Sequence, residues 1–478
     1  MNMTVATTQR RVTEKTPSTV EEILCASRGN GAFISMMKWA VGLAICTDGI
    51  EVTLLSYLVP CAAAEWDLSS IQQGSLTASV FAGELVGALV LGVISDIYGR
   101  RPSFQIAAGL VAVFGLLTVV APSFWWLLCF RSMVGVGAGG MEVPFDLLGE
   151  IVPQKERARI LVDVQATWAL GSLFVGIVAW AVLSFGHSWR LLALFSAIPP
   201  CAVLCCFLFI QESPRWLLAN GREREAKEVL RQMAKRNGVV LGDVSISLEE
   251  KSKGKEGGLL DLWRVTELRK RTFVSCAVWA AFGFLYYGII LLSSKVMGDD
   301  GTCSFDYSVL FFAASSELVA NLFTRVYVGK LDRSASMTIN FVVSGLMTGL
   351  MPLNGAFGWL LFTSFVARGT AYTAACFAWV ITPDLYPTEA RSTGHACSNA
   401  LARCGAIGAS YWVSYSASNE SLALLLLVVG VLGGLAGQAL PRDRQLEANG
   451  RGQDAEDEAE SRPLLWSGHD REAAHTFG

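Results

Sequence analysis

Charge is what this chain has least of. Asp, Glu, Lys and Arg make up 17% of its 478 residues, against about 25% in soluble domains. That argues against a soluble protein, which at this length would hold about three domains. Histidine is almost missing: four scattered residues, so no metal site is expected. No nucleophile sits beside a base in a catalytic pattern, so neither an enzyme nor a cofactor is expected. A net charge of −3 offers nothing to nucleic acid. The 12 Cys form no framework. Cys46, Cys129, Cys201 and Cys276 lie inside apolar runs, as small buried hydrophobes do. Cys303 stands alone in an expected exterior loop, which predicts no disulfide there. The first 30 residues also lack a charged stretch leading into an apolar one, so no cleavable signal peptide is expected.

What is abundant is apolar surface. Hydrophobic residues reach 52%, with mean hydropathy +0.44. A bilayer core about 30 Å thick needs roughly 20 apolar residues per helical crossing. Runs of that kind recur at 35–62, 71–95, 103–121, 125–150, 160–184, 190–210, 272–294, 306–328, 337–353, 357–382, 395–415 and 421–439. Twelve spans predict an all-α polytopic membrane protein with two six-helix halves. The division reads as an N-terminal tail (1–33), a first bundle (34–210), a linker (211–270), a second bundle (271–440) and a disordered acidic tail (441–478). The linker segment "NGREREAKEVLRQMAKRNG" has the pattern of a short amphipathic helix with capping residues at both ends. Short loops on the linker side carry Arg100, Arg101, Lys155, Arg157, Arg159, Lys330, Arg333 and Arg391, whereas the other side carries little beyond Arg190 and Lys295. This bias puts the linker and both termini in the cytoplasm.

The halves look like copies. Glu84 precedes Asp96 by twelve residues, and Glu317 precedes Gly329 by twelve. Glu150, Pro153 and Arg157 share their spacing with Asp384, Pro387 and Arg391, while Arg131 and Arg368 each open a small-residue helix. Repeated halves in a membrane point to a transporter with its site at their interface. Ionisable residues in hydrocarbon face the bundle interior. Asp48 and Glu51 lie on one face of the first span, and two close carboxylates do not cheaply both ionise. They are candidate proton or cation sites, or else ion-pair partners that position helices. On the fourth span, Arg131, Gly135, Gly139, Glu142 and Asp146 fall within roughly an 80° arc, with Asp48 the expected partner of Arg131. Trp279, Phe282 and Tyr286 form a stripe with Tyr287 beside it, either core or a stacking surface. Arg403 suits a substrate carboxylate or an acidic neighbour. Glu84 and Glu317 read as helix-coupling.

Four stretches carry a resemblance over nearly the whole chain. "GVISDIYGRR", "RSMVGVGAGG", "ESPRWLL" and "PDLYPTEARSTG" resemble the motifs of the major facilitator superfamily. "TDGIEVTLLS" and "GGMEVPFDLLGEIVP" are similar to stretches of its synaptic-vesicle-two-related proteins and bacterial niacin permeases, close to the sugar and organic-ion porters. The resemblance implies alternating access, with Arg131 in coupling and Asp96, Gly99, Arg100, Glu150, Arg157, Asp384 and Arg391 in a gating latch. Asp96 is expected to accept hydrogen bonds from the other half. The second copy, "VGKLDRSASM", has Gly329 in place of the Asp, so the latch reads as lopsided. The expected cargo is a small organic ion, an aromatic carboxylate first, moved with protons by a monomer in the lipid bilayer. The alternatives are a sugar or organic-cation porter, or a vesicle receptor without transport. "ESRPLL" (Glu460, Leu464, Leu465) fits an acidic dileucine signal, read by a sorting adaptor. The membrane is then the plasma membrane or an endomembrane vesicle or vacuole.

Overall fold

Each apolar run becomes helix, because a backbone in hydrocarbon must satisfy its own N–H and C=O groups. The computed structural model describes residues 31–152, 154–206, 210–237, 259–296, 303–328, 330–386, 391–416 and 418–442. The expected N-terminal tail, the middle of the linker, Gly329, and the acidic tail with Glu460, Leu464 and Leu465 lie outside the described residues. The first half comprises α1 (Ala32–Trp66), α2 (Ser70–Tyr98), α3 (Arg100–Val119), α4 (Phe124–Gly139), α5 (Val143–Ile151), α6 (Gln154–Leu183), α7 (Trp189–Ser196) and α8 (Ile198–Cys206). Short α9 (Pro214–Ala219), α10 (Glu223–Arg236) and α11 (Leu259–Arg264) belong to the linker. The second half comprises α12 (Thr266–Val296), α13 (Tyr307–Tyr327), α14 (Arg333–Leu350), α15 (Phe357–Ile381), α16 (Arg391–Tyr415) and α17 (Asn419–Gln438).

These make twelve crossings, six per half. Among the described residues, eight single helices are long and apolar enough to cross a membrane by themselves. Two crossings are broken where single spans were expected. The fourth is α4 and α5, interrupted at Gly140 to Glu142. The sixth is α7 and α8, interrupted at Ala197, just ahead of Pro199 and Pro200. A proline early in a helix is tolerated, but deeper it removes a backbone bond. The linker helix α10 starts at Glu223, and its N-cap Arg222 makes no side-chain cap bond. The expected capping at its start is therefore not formed by a side chain.

Side-chain caps set several helix starts. Ser69 and Gln72 form a reciprocal capping box at α2. Asp306 caps α13 and Asp332 caps α14. Gly99, at φ 109°, turns α2 into α3 with no loop between them, a conformation that side-chain-bearing residues rarely adopt. The halves meet where α2 packs on α16 and α13 packs on α6. Between them lies the central cavity.

Candidate functional site

The cavity takes its wall from α1, α5, α6, α12, α15 and α16. Its floor of rings includes Trp168, Phe282, Tyr286, Tyr287, Tyr372 and Trp379, and its charged residues are Asp48, Glu142 and Arg403. Close helix packing brings these charges together. A Cβ on Gly283 of α12 would meet the Ala402 carbonyl oxygen at 1.9 Å, so bare backbone lets α12 and α16 touch and sets Arg403 beside Tyr287.

Arg403 is the hub between the halves. Its Nη1 donates to Tyr287 Oη at 2.8 Å and lies 2.7 Å from Glu84 Oε2. Its Nη2 donates to Glu142 Oε1 at 2.6 Å, and Asn399, one turn earlier, donates to the other Glu142 oxygen. Glu84 and Arg403 are 0% and 5% exposed, so the pair sits at low dielectric, where each partner is needed by the other. Of the two sequence readings of Arg403, the structure shows the acidic neighbour.

Asp48 is not the partner of Arg131, contrary to expectation. Arg131 Nη1 donates to Glu51 Oε2 at 2.6 Å, and Nη2 reaches the Glu51 carbonyl at 3.3 Å. Three residues along a helix rotate a side chain by about 60°. That turn aims Glu51 at α4 and leaves Asp48 on the cavity wall, with its buried Oδ1 free of any hydrogen bond. The single arc expected along the fourth span is also broken: Arg131 faces α1, whereas Glu142, at the head of α5, faces α16. Asp146, Glu150 and Arg391 have side chains outside the described residues.

Glu84 and Glu317 do not play the same part. Glu317 stays within its half, accepting from Arg368 Nε at 2.8 Å and from Tyr286 Oη at 2.6 Å. Trp168 Nε1 of the first half then donates to Tyr286 Oη at 2.7 Å. Trp279 does not line the cavity: it is 1% exposed, bonded to Thr382 Oγ1 at 2.9 Å and packed on Trp379 and His395.

Among the described side chains, the loop residues bond within their own half or to the linker. Asp96 bonds Arg100 Nη1 of its own loop at 2.5 Å, not the other half. Glu212 of "ESPRWLL" accepts the backbone N–H groups of Arg100 and Arg101 at 2.9 and 3.2 Å, capping α3, while Trp216 Nε1 donates to the Asp96 carbonyl at 2.9 Å. Two motifs far apart in sequence thus clasp each other. Asp384 pairs with Arg333 at 2.7 Å inside the second half. Among the described residues, an ion pair joins the halves at the linker end, Asp163 of α6 with Arg325 of α13, supported by Lys38 of α1 at 3.3 Å.

At the opposite end, Cys61 of α1 is disulfide-bonded to Cys303, just before α13, across 242 residues. This corrects the expectation of no disulfide. Cys61 ends an apolar run, and no spacing in the chain connects it to Cys303; the fold alone brings them together. Sequence reasoning also missed Asp163, Arg325, Trp168, Tyr372 and Asn399. Of these only Asn399 had a visible cue, standing four residues before Arg403 on one face.

Twelve crossings in two halves, an ion-paired centre and a cavity shared by both halves define a transporter of the major facilitator superfamily. The E. coli xylose transporter XylE, in a partially occluded inward-open conformation, superposes with a TM-score of 0.69 at 17% identity, over 86% of this chain and 99% of that one. The sugar (and other) transporter family model matches residues 32–432, and the chain belongs to that family. The Xenopus laevis Synaptic vesicle 2-related protein is 30% identical, over 89% of this chain and 80% of its own length. The Arabidopsis thaliana Organic cation/carnitine transporter 7 is also 30% identical, over 81% of this chain and 86% of its own. Fold and family are those of transporters, not enzymes.

Proposed function

We propose that the chain is a secondary active transporter that moves a small organic ion by alternating access, coupled to protons. The carrying observation is the Arg403 hub, in which a cation of one half is held by two carboxylates of the other inside the shared cavity. Contacts of this kind break and re-form when halves rock about a central site. Glu51 is committed to Arg131, so proton coupling falls to Asp48. The aromatic wall suits a ring-bearing cargo. Asp96, Gly99, Arg100, Glu150, Arg157, Asp384 and Arg391 serve the linker-end gate, with Asp163 and Arg325 as its cross-half bridge.

Lys/Arg bias puts the linker and both termini in the cytoplasm. A disulfide at the opposite end agrees, because such bonds persist in exterior or lumenal compartments. The membrane is then the plasma membrane or an endomembrane vesicle or vacuole, and the working unit a monomer. The test is uptake into proteoliposomes of aromatic acids, aromatic amines and sugars, with and without a pH gradient. Uptake of one class that responds to the gradient and is lost in Asp48→Asn is expected. No uptake of any of them by folded protein would sink the reading.

A further inference from the structure

The charge of the cavity decides which organic ion fits it, a step that rests on the transporter reading. Both terminal nitrogens of Arg403 are already engaged, by Tyr287 and Glu84 on one and Glu142 on the other. A substrate carboxylate reaching Arg403 has to displace one of those acids and then lie beside the others. Asp48 is the opposite case. It is 3% exposed, lines the cavity, and presents a buried Oδ1 with no donor. A desolvated carboxylate oxygen without a donor is costly, so the site calls for a proton or a cation there. The same cavity is lined by Trp168, Phe282, Tyr286 and Tyr287, and aromatic rings attract cations to their faces.

We propose that the cavity binds a small aromatic ammonium ion, whose N–H donates to Asp48, and that this cation and a proton compete for that one carboxylate. The exchange balances: a protonated Asp48 carboxyl plus the incoming ammonium gives carboxylate, bound ammonium and one released proton. No covalent bond other than O–H breaks. The empty protonated site and the loaded site carry equal charge, so the device runs as an antiporter with one proton per cation. The charged groups facing Asp48 are Glu84 of α2, Glu142 at the head of α5, Arg403 of α16 and Glu51 of its own helix, with the Tyr287 hydroxyl on α12. Three acids against two arginines, Arg403 and the Glu51-bound Arg131, leave the surroundings favouring a positive occupant over a negative one.

Trp168 and Trp379 in the wall allow tryptophan fluorescence to read occupancy in nanodiscs. The probes are phenethylammonium, benzoate and the neutral 2-phenylethanol. Phenethylammonium should bind best. Its apparent affinity should weaken by about tenfold per pH unit once Asp48 is protonated, with one proton released per cation in weak buffer. Asp48→Asn, checked for folding by its melting temperature, should weaken binding roughly 10- to 100-fold and remove both the pH slope and the proton release. Tighter binding of benzoate, a flat pH dependence, or an unaltered Asp48→Asn would overturn the proposal. Uptake of benzoate or a sugar in its place would do the same while leaving transport standing. Binding with all the expected features but no uptake supports the site and sinks the transport reading alone.

Discussion

Glu51 and Asp48 sit less than a turn apart and meet opposite fates. Glu51 is 1% exposed and locked to Arg131, itself fully buried. A buried pair of this kind is weak evidence for stability, yet breaking it strands a charge, which costs about 3–5 kcal/mol. Glu51→Gln should therefore lower the melting temperature by several degrees. The double variant Arg131→Met, Glu51→Leu should recover most of that loss, since two apolar groups leave no orphan. Melting curves of wild type, Glu51→Leu, Arg131→Met and the double variant in detergent give the coupling directly; additive losses would show that the pair does not act as a unit. The presence of carboxylates on this span was legible in the sequence, but their division of labour was not. Which of two acids meets α4 depends on helix rotation, and that is set by neighbours absent from the local pattern.

The helices themselves were readable because lipid enforces one solution for an apolar run. Their contacts were partly readable through glycine. A Cβ at Gly135 of α4 would meet the Val80 carbonyl oxygen at 2.1 Å, and one at Gly139 would meet that of Glu84 at 2.2 Å. The α2–α4 seam is thus backbone against backbone, and it fixes the depth at which Glu84 stands before Arg403. Gly135→Ala should force the seam apart, destabilise by about 1–3 kcal/mol, and weaken the Glu84–Arg403 contact. Gly109 of α3 has nothing within 4 Å of its would-be Cβ, so Gly109→Ala should be neutral or stabilise by about 0.5–1 kcal/mol. Equal thermal shifts for the two variants would refute the seam argument. The breaks at Gly140 to Glu142 and at Ala197 escaped the sequence reading, since a hydropathy run does not register a local loss of helical geometry.

At the scale of the molecule, the halves are joined at three levels. The linker end has Asp163–Arg325, the middle has the Arg403 hub and Trp168–Tyr286, and the far end has Cys61–Cys303 with Tyr57 packed on Phe305 at 5.3 Å. Alternating access requires the two ends to open in turn, so contacts at one end act against those at the other. Hydrogen exchange separates them without added labels. Asp163→Asn removes a partly buried pair of about 1 kcal/mol, which multiplies the population opened at the linker end by about fivefold. Exchange should rise in 159–166 and 320–328 while 57–66 stays protected. Reduction, or Cys303→Ser, should give the mirror result, with exchange rising in 57–66 and 303–310. Removal of such a cross-link also costs about 2–5 kcal/mol of stability. If either change loosened both ends together, the halves would be coming apart as a whole instead of rocking, and the three levels would be staples of one rigid body with no alternation between them.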